Sequence, residues 1–96
     1  MAMRVVVLVP GTLRSIVDGN GRVAVEVGEP ATLGAVLDEL SARYPLLERR
    51  LRDERGGLRR YVNFYLDGEE CRRLAGVDTP VPPGGEIQVL PSVAGG

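Results

Sequence analysis

Hydrophobic residues recur along this chain with two different periods. Residues 3–9, MRVVVLV, form a β-branched run closed by Pro10-Gly11, which predicts a strand covered at least partly on both faces. Residues 22–27, RVAVEV, alternate strictly, with Val23, Val25 and Val27 on one face and Arg22, Ala24 and Glu26 on the other. Between them, DGNG (18–21) contains two dipeptides that readily take the positive φ of tight turns. An antiparallel hairpin is expected to open the fold. The period then changes. In TLGAVLDELSARYP, Thr32 is placed to cap a helix whose Leu33, Val36, Leu37 and Leu40 share one stripe, with Asp38, Glu39, Ser41 and Arg43 opposite. Pro45 disfavours helical geometry at Tyr44 and should end that helix.

The next stretch, LLERRLRDERGG, predicts a short helical turn with Leu47 and Leu51 four apart, then a charged loop whose arginines read as a solvated face. YVNFYL (61–66) alternates again, with Val62, Phe64 and Leu66 on one side. Asp67-Gly68 turns the chain into EECRRL, expected as a short strand with Cys71 at an apolar position. After the loop TPVPPGG, EIQVL (86–90) supplies Ile87 and Val89 to a last strand that Pro91, lacking an amide donor, terminates. The order strand, strand, helix, strand, short strand, strand predicts an α+β fold. A single main helix covering one face of a mixed sheet fits the β-grasp (ubiquitin-like) roll.

At 96 residues the chain fits one domain. The expected division is a domain over residues 1–91 and a flexible tail over 92–96. Apolar residues reach 44% but aromatics only 4%, so the core must be aliphatic. The apolar run in MAMRVVVLVP is too short for a membrane span or a secretory signal, so no membrane association and a cytoplasmic location are expected. A formal net charge of −1 lacks the basic excess that phosphate backbones select, which argues against nucleic acid as a partner. With no histidine and one cysteine, the chain cannot build a Ser/His or Cys/His nucleophilic centre, a disulfide framework or a thiolate metal cluster. The carboxylates of DEL and DGEE read as solvated faces, and GTLR and PPGG as turns rather than phosphate loops. Cys71 reads as a structural apolar residue. Leu13, Tyr65 and Leu90 fall off the main core-facing alternation; they either form an exposed patch for a partner or cover the second face of the sheet.

Taken together, TLR after the first strand, TLGAVLDEL, YVNFYLDGE and the ending GGEIQVLPSVAGG resemble the prokaryotic ubiquitin-like sulfur carriers of the MoaD/ThiS family. The similarity is greatest to the CysO-type carriers of cysteine biosynthesis. It covers nearly the whole chain, and its most specific part is the proline followed by VAGG. The resemblance implies a protein co-substrate rather than an enzyme. Gly96 would be adenylated and converted to a thiocarboxylate, and Pro91, Ser92, Val93, Ala94 and Gly95 would be the segment threaded into partner enzymes. No cofactor would be bound by the chain itself. ATP and magnesium would be used by an E1-like activating enzyme of the ThiF/MoeB type. In the cysteine branch the sulfur acceptor would be a pyridoxal-phosphate enzyme, and a JAMM-type metalloprotease would release the product. A molybdopterin synthase small subunit, a carrier for another sulfur-containing metabolite, and a ubiquitin-like modifier joined to lysines share the same opening chemistry. All twelve cationic residues are arginine, so a modifier of this sequence would carry no side-chain amine of its own; coding bias explains the same fact equally well.

The tail composition suits such chemistry. A C-terminal carboxylate has a pKa of about 3.5, is anionic at neutral pH and resists nucleophiles until activated. Six residues from Pro91 to Gly96 span roughly 20 Å when extended, enough to enter a deep nucleotide site. Glycine at the last two positions removes the Cβ atoms that would obstruct a narrow channel, and the extended backbone can pair with an enzyme groove while Val93 supplies an apolar anchor.

Overall fold

The N-terminal β-branched run forms β1 (Ala2–Leu8), which pairs antiparallel with β2 (Arg22–Gly28) in a register that sets Val5 opposite Val25 and Val7 opposite Val23. This and all that follows come from a computed structural model, and the structure describes residues 1–91. The hairpin is present, but its connection is not the tight turn expected from DGNG. A 3₁₀ helix over Gly11–Val17 fills it, and Asp18 (φ 57°) with Gly19 (φ 81°) ends that helix rather than closing a two-residue loop. Leu13 and Val17 are buried by the 3₁₀ helix. Leu13 is therefore a core residue, and neither alternative expected for it, an exposed patch or the second face of the sheet, holds.

Thr32 caps α1 (Leu33–Arg43) as expected, its Oγ1 accepting from the Ala35 N–H at 3.2 Å. Leu33, Val36, Leu37 and Leu40 are all fully buried against the sheet. Pro45 does more than stop α1. It opens α2 (Pro45–Leu51), where a missing amide is harmless, and Leu47 and Leu51 anchor that helix in the core. The loop after it is held by Asp53, whose carboxylate accepts from the Arg55 and Gly57 amides.

β4 (Val62–Leu66) buries Val62, Phe64 and Leu66. Asp67 (φ 47°) and Gly68 (φ 93°) turn it into β5 (Glu69–Glu70). Cys71, expected within that short strand, instead begins a 3₁₀ turn over Cys71–Arg73 and is completely buried there. Two further strands lie where only loops were expected: β3 (Ala31–Thr32) and β6 (Pro80–Val81) pair antiparallel as a small second sheet. The last strand is β7 (Glu86–Pro91).

The main sheet has the order β2-β1-β7-β4-β5, with β7 parallel to β1 and antiparallel to β4. One face carries the aliphatic core under α1 and α2. The other, bearing Arg4, Val6, Leu8, Ala24, Tyr65, Gln88 and Leu90, is covered by no helix or strand among the described residues, and Val6, Leu8, Tyr65 and Leu90 are half-buried on it. This is the mixed sheet and helix of the β-grasp roll. No helix among the described residues is long and apolar enough to cross a membrane.

Candidate functional site

The last described residue, Pro91, stands at the end of the central strand of the sheet. Ser92, Val93, Ala94, Gly95 and Gly96 lie outside the described residues. What can be built from the structure is therefore the base from which those residues leave the domain. Ile87 and Val89 point into the core and are buried, while Gln88 and Leu90 face the open side. The register sets Leu90 opposite Asn63 and Pro91 opposite Val62. Pro91 is thus both the first of the expected tail residues and the last residue of the strand, exposed at its end. Because β1 runs parallel to β7, the turn that follows β1 sits at the same end of the sheet.

Two depressions flank this exit. A groove of about 150 Å³ is lined by Thr12, Leu13, Arg50, Tyr61, Val62 and Pro91, bringing together the 3₁₀ helix, α2, the start of β4 and the end of β7. On the open side, Arg14 lines a shallow furrow with Leu8, Pro10 and Leu90. Arg72 reaches across from the 3₁₀ turn after β5, donating to Asn63 Oδ1 at 3.0 Å and to the Arg59 carbonyl. Sequence reasoning missed this convergence, since Thr12, Arg14, Arg50 and Arg72 come from separate segments and belong to no shared motif.

The other candidates separate cleanly. Burial pushes the Cys71 thiol above its ordinary pKa, so it stays protonated at neutral pH and is a poor nucleophile. Nearby, the buried Thr79 hydroxyl donates to the Gly76 carbonyl at 2.7 Å, a structural contact. Arg52 corrects the expectation of a uniformly solvated arginine face. Its guanidinium is only 10% exposed and pairs with Glu48 Oε1 at 2.6 Å and Asp38 Oδ1 at 2.8 Å, tying α2 to α1. Burial alone would raise the Glu48 pKa, but the Arg52 and Ser41 hydrogen bonds and the Arg52 charge bring it below the usual glutamate value. Among the described residues, no group of three or more acidic or cysteine side chains is disposed to hold a metal ion.

Residues 7–96 match the model of the ThiS family. The chain is 38% identical over 96 residues to the sulfur carrier protein CysO of Mycobacterium tuberculosis, with 98% of this chain and 100% of the relative covered. It is 36% identical over 85 residues to small archaeal modifier protein 3 of Haloferax volcanii, covering 88% and 90% of the two chains. Its fold superposes on a chain of the Amycolatopsis orientalis BexX/CysO complex with a TM-score of 0.84 at 32% identity, covering 96% of this chain and 99% of that one.

Proposed function

The chain belongs to the ThiS family, and from that premise we propose that it is a sulfur carrier protein, a co-substrate whose Gly96 carboxylate is the reacting group. The observation that carries the reading is the junction at Pro91: the central strand of the sheet, paired on both sides, runs in sequence directly into Ser-Val-Ala-Gly-Gly. A domain of residues 1–91 then acts as a handle, and residues 92–96 as the probe that enters other proteins.

The chemistry balances without a redox step when sulfide is the donor. A Gly96 carboxylate oxygen attacks the α-phosphorus of ATP, pyrophosphate leaves with its magnesium, and an acyl-adenylate forms. Sulfide then attacks the acyl carbon; the new C–S bond replaces the C–O bond to AMP, which departs, leaving a thiocarboxylate. The E1-like activating enzyme, of ThiF/MoeB type, supplies the nucleotide site. The similarity to CysO favours cysteine as the product. In that branch a pyridoxal-phosphate enzyme would supply the three-carbon acceptor for the thiocarboxylate sulfur, and a JAMM-type metalloprotease would release cysteine from the tail by hydrolysis, regenerating the Gly96 carboxylate. The body contributes no acid, base or nucleophile. Its one thiol, Cys71, is buried and held protonated.

Intact-mass spectrometry after incubation with an activating enzyme, ATP, magnesium and sulfide tests the reading. The expected product carries one sulfur in place of one oxygen, localised to Gly96 by fragmentation, and the chain lacking Gly95 and Gly96 gains nothing. Sulfur uptake by that truncated chain, or none by the full chain with a competent enzyme, overturns it. The similarity to the Haloferax modifier favours a second reading, conjugation to lysines through the same adenylate. Branched Gly-Gly remnants on cellular lysines are its signature.

A further inference from the structure

The charges of this nearly neutral chain are unevenly spread along the sheet. Where β7 begins, Glu86 lies near Asp67 and Glu69 of the β4–β5 turn, and Glu26 lies on β2 toward the same end; Arg22 bridges Glu86 and Arg4 bridges Glu26, each at 3.5 Å, so that end is balanced rather than cationic. Where β7 ends, the charges are cationic on three sides. Arg50 lines the groove with Pro91, Arg14 lines the furrow with Leu90, and Arg72 sits over Asn63, the residue opposite Leu90. All three are exposed, and among the described residues none has a carboxylate partner, a lack they share with Arg43, Arg49, Arg55, Arg59 and Arg60; what distinguishes them is their place beside the end of β7. Arg14 Nε donates to the Val9 carbonyl at 3.1 Å and Arg72 is held by Asn63 and the Arg59 carbonyl, so both are positioned within the domain, while Arg50 makes no side-chain hydrogen bond among the described residues. The three charges are left without a carboxylate at the end of the sheet where β7 stops.

We propose that this arginine collar, with the groove between Thr12, Tyr61 and Pro91, is the docking surface for an acidic protein rim: the carboxylate-bearing entrance of the enzyme that adenylates the tail. The inference rests on the sulfur-carrier reading. Geometry selects the occupant. The phosphates that react must meet Gly96, five residues beyond Pro91 and up to roughly 16 Å away along an extended chain. Arginines at the base therefore cannot hold those phosphates while the tip reacts, and they face the outer rim of the channel instead. There the planar guanidinium forks match carboxylates, and the charge asymmetry orients the domain tail-first during encounter. The gain appears in association and weakens with salt.

The test compares Arg50→Glu with Arg4→Glu, an equal charge change at the opposite end of the sheet, by pyrophosphate release from the full chain with the activating enzyme. Arg50 makes no side-chain hydrogen bond or ion pair among the described residues, but it stands in the last turn of α2, so its reversal should lower the urea midpoint only slightly, and Arg50→Gln, which adds no acid there, serves as the second variant. The expected result is a KM for the chain raised on the order of tenfold at low ionic strength, an unchanged kcat and a flattened salt dependence, with Arg4→Glu close to wild type. Equal effects of the two reversals, or a loss in kcat alone, overturn the proposal. A second measurement does not depend on sulfur chemistry: NMR titration of the full chain with a hexaglutamate peptide and, separately, with ATP-magnesium. Shifts at Thr12, Arg14, Arg50, Tyr61 and Arg72 with the peptide alone support an acidic-protein site even if no thiocarboxylate ever forms. The same residues responding to ATP and not to the peptide make it a phosphate site and refute the proposal.

Discussion

Replacing Glu48 by glutamine tests whether the α1–α2 unit is held by charge or by packing. Glu48 accepts from Arg52 Nη2 at 2.6 Å, from Arg52 Nε at 3.0 Å and from Ser41 Oγ at 2.7 Å. Arg52 is 10% exposed, whereas Glu48 is 37% and Asp38 69% exposed. Glutamine keeps one acceptor oxygen but removes the charge, leaving a largely buried guanidinium with one solvated carboxylate and the Gly34 carbonyl at 3.4 Å. Breaking a fully buried pair costs about 3–5 kcal/mol, and exposed pairs are worth about 0–1 kcal/mol. With one partner buried and the other over a third exposed, the expected cost is about 2 kcal/mol. In a domain of this size that lowers Tm by roughly 10 °C.

The pH dependence gives an independent check. The folded-state pKa of Glu48 lies below its ordinary value, so the unfolded chain binds the proton first as pH falls. Stability contributed by the carboxylate is complete above the ordinary glutamate pKa of about 4.3 and is lost as pH drops toward the lower folded-state value. Urea titrations at pH 7 and through the acid range should show Glu48→Gln less stable at pH 7, with part of the wild-type acid slope missing. Glu48→Gln together with Arg52→Met should recover much of the loss, because an apolar pair no longer strands a cation. A single variant within 0.5 kcal/mol of wild type at pH 7, inside the range of an ordinary surface change, refutes the reasoning.

Three further outcomes follow from particular contacts. Thr32→Ala removes the acceptor for the Ala35 N–H and should cost about 1 kcal/mol in urea unfolding, with Thr32→Ser close to wild type. Gly85→Ala would place a Cβ 3.0 Å from the Pro82 carbonyl and 3.2 Å from a Val81 methyl at the start of β7; a loss of about 1–3 kcal/mol is expected, and an unchanged Tm contradicts it. Cys71 should react with a thiol reagent in the native state at the rate of global or local opening, accelerated by urea; reaction at a free-thiol rate would show that the site is open.

Elements with a full hydrophobic period were legible in the residues alone. α1 shows its buried stripe over three turns, and β2, β4 and β7 alternate strictly, so burial and sequence pattern coincide. β3 and β6 are two residues each and have no period to show; they form because the chain on either side of α1 brings Ala31–Thr32 beside Pro80–Val81. The 3₁₀ helix over Gly11–Val17 hid behind Pro10-Gly11, which reads locally as a strand terminus. Leu13 therefore could not be placed from the sequence between an exposed patch and the second sheet face, and the approach of this helix to α2 and β4 puts it in the core instead. Arg52 was indistinguishable in sequence from Arg49, Arg50 and Arg55. Only the packing of α2 on α1 sets it between Asp38 and Glu48. The Gly-Gly ending could be read from the residues but lies outside the described structure, while the proposed collar could not be read, because Arg14, Arg50 and Arg72 are brought to the same end of the sheet only by the fold.

The strand order explains how residues beyond Pro91 could be drawn into a partner, as the proposed function requires, without compromising the domain. A tail drawn into another protein transmits force to whatever precedes it. An edge strand would peel, since one ladder of hydrogen bonds holds it. β7 has ladders on both sides, to β1 and β4, and inserts Ile87 and Val89 beneath the helices, each contributing about 1.5–3 kcal/mol of burial. Peeling it would separate β1–β2 from β4–β5 and open the core. The parallel pairing of β1 with β7 has a second consequence: the end of the first strand and the end of the last lie together, so the 3₁₀ helix after β1 supplies Thr12 and Arg14 to the base of the tail. The same topology that secures the exit also assembles the surface around it, which is why Arg50→Glu should weaken docking while leaving the fold intact.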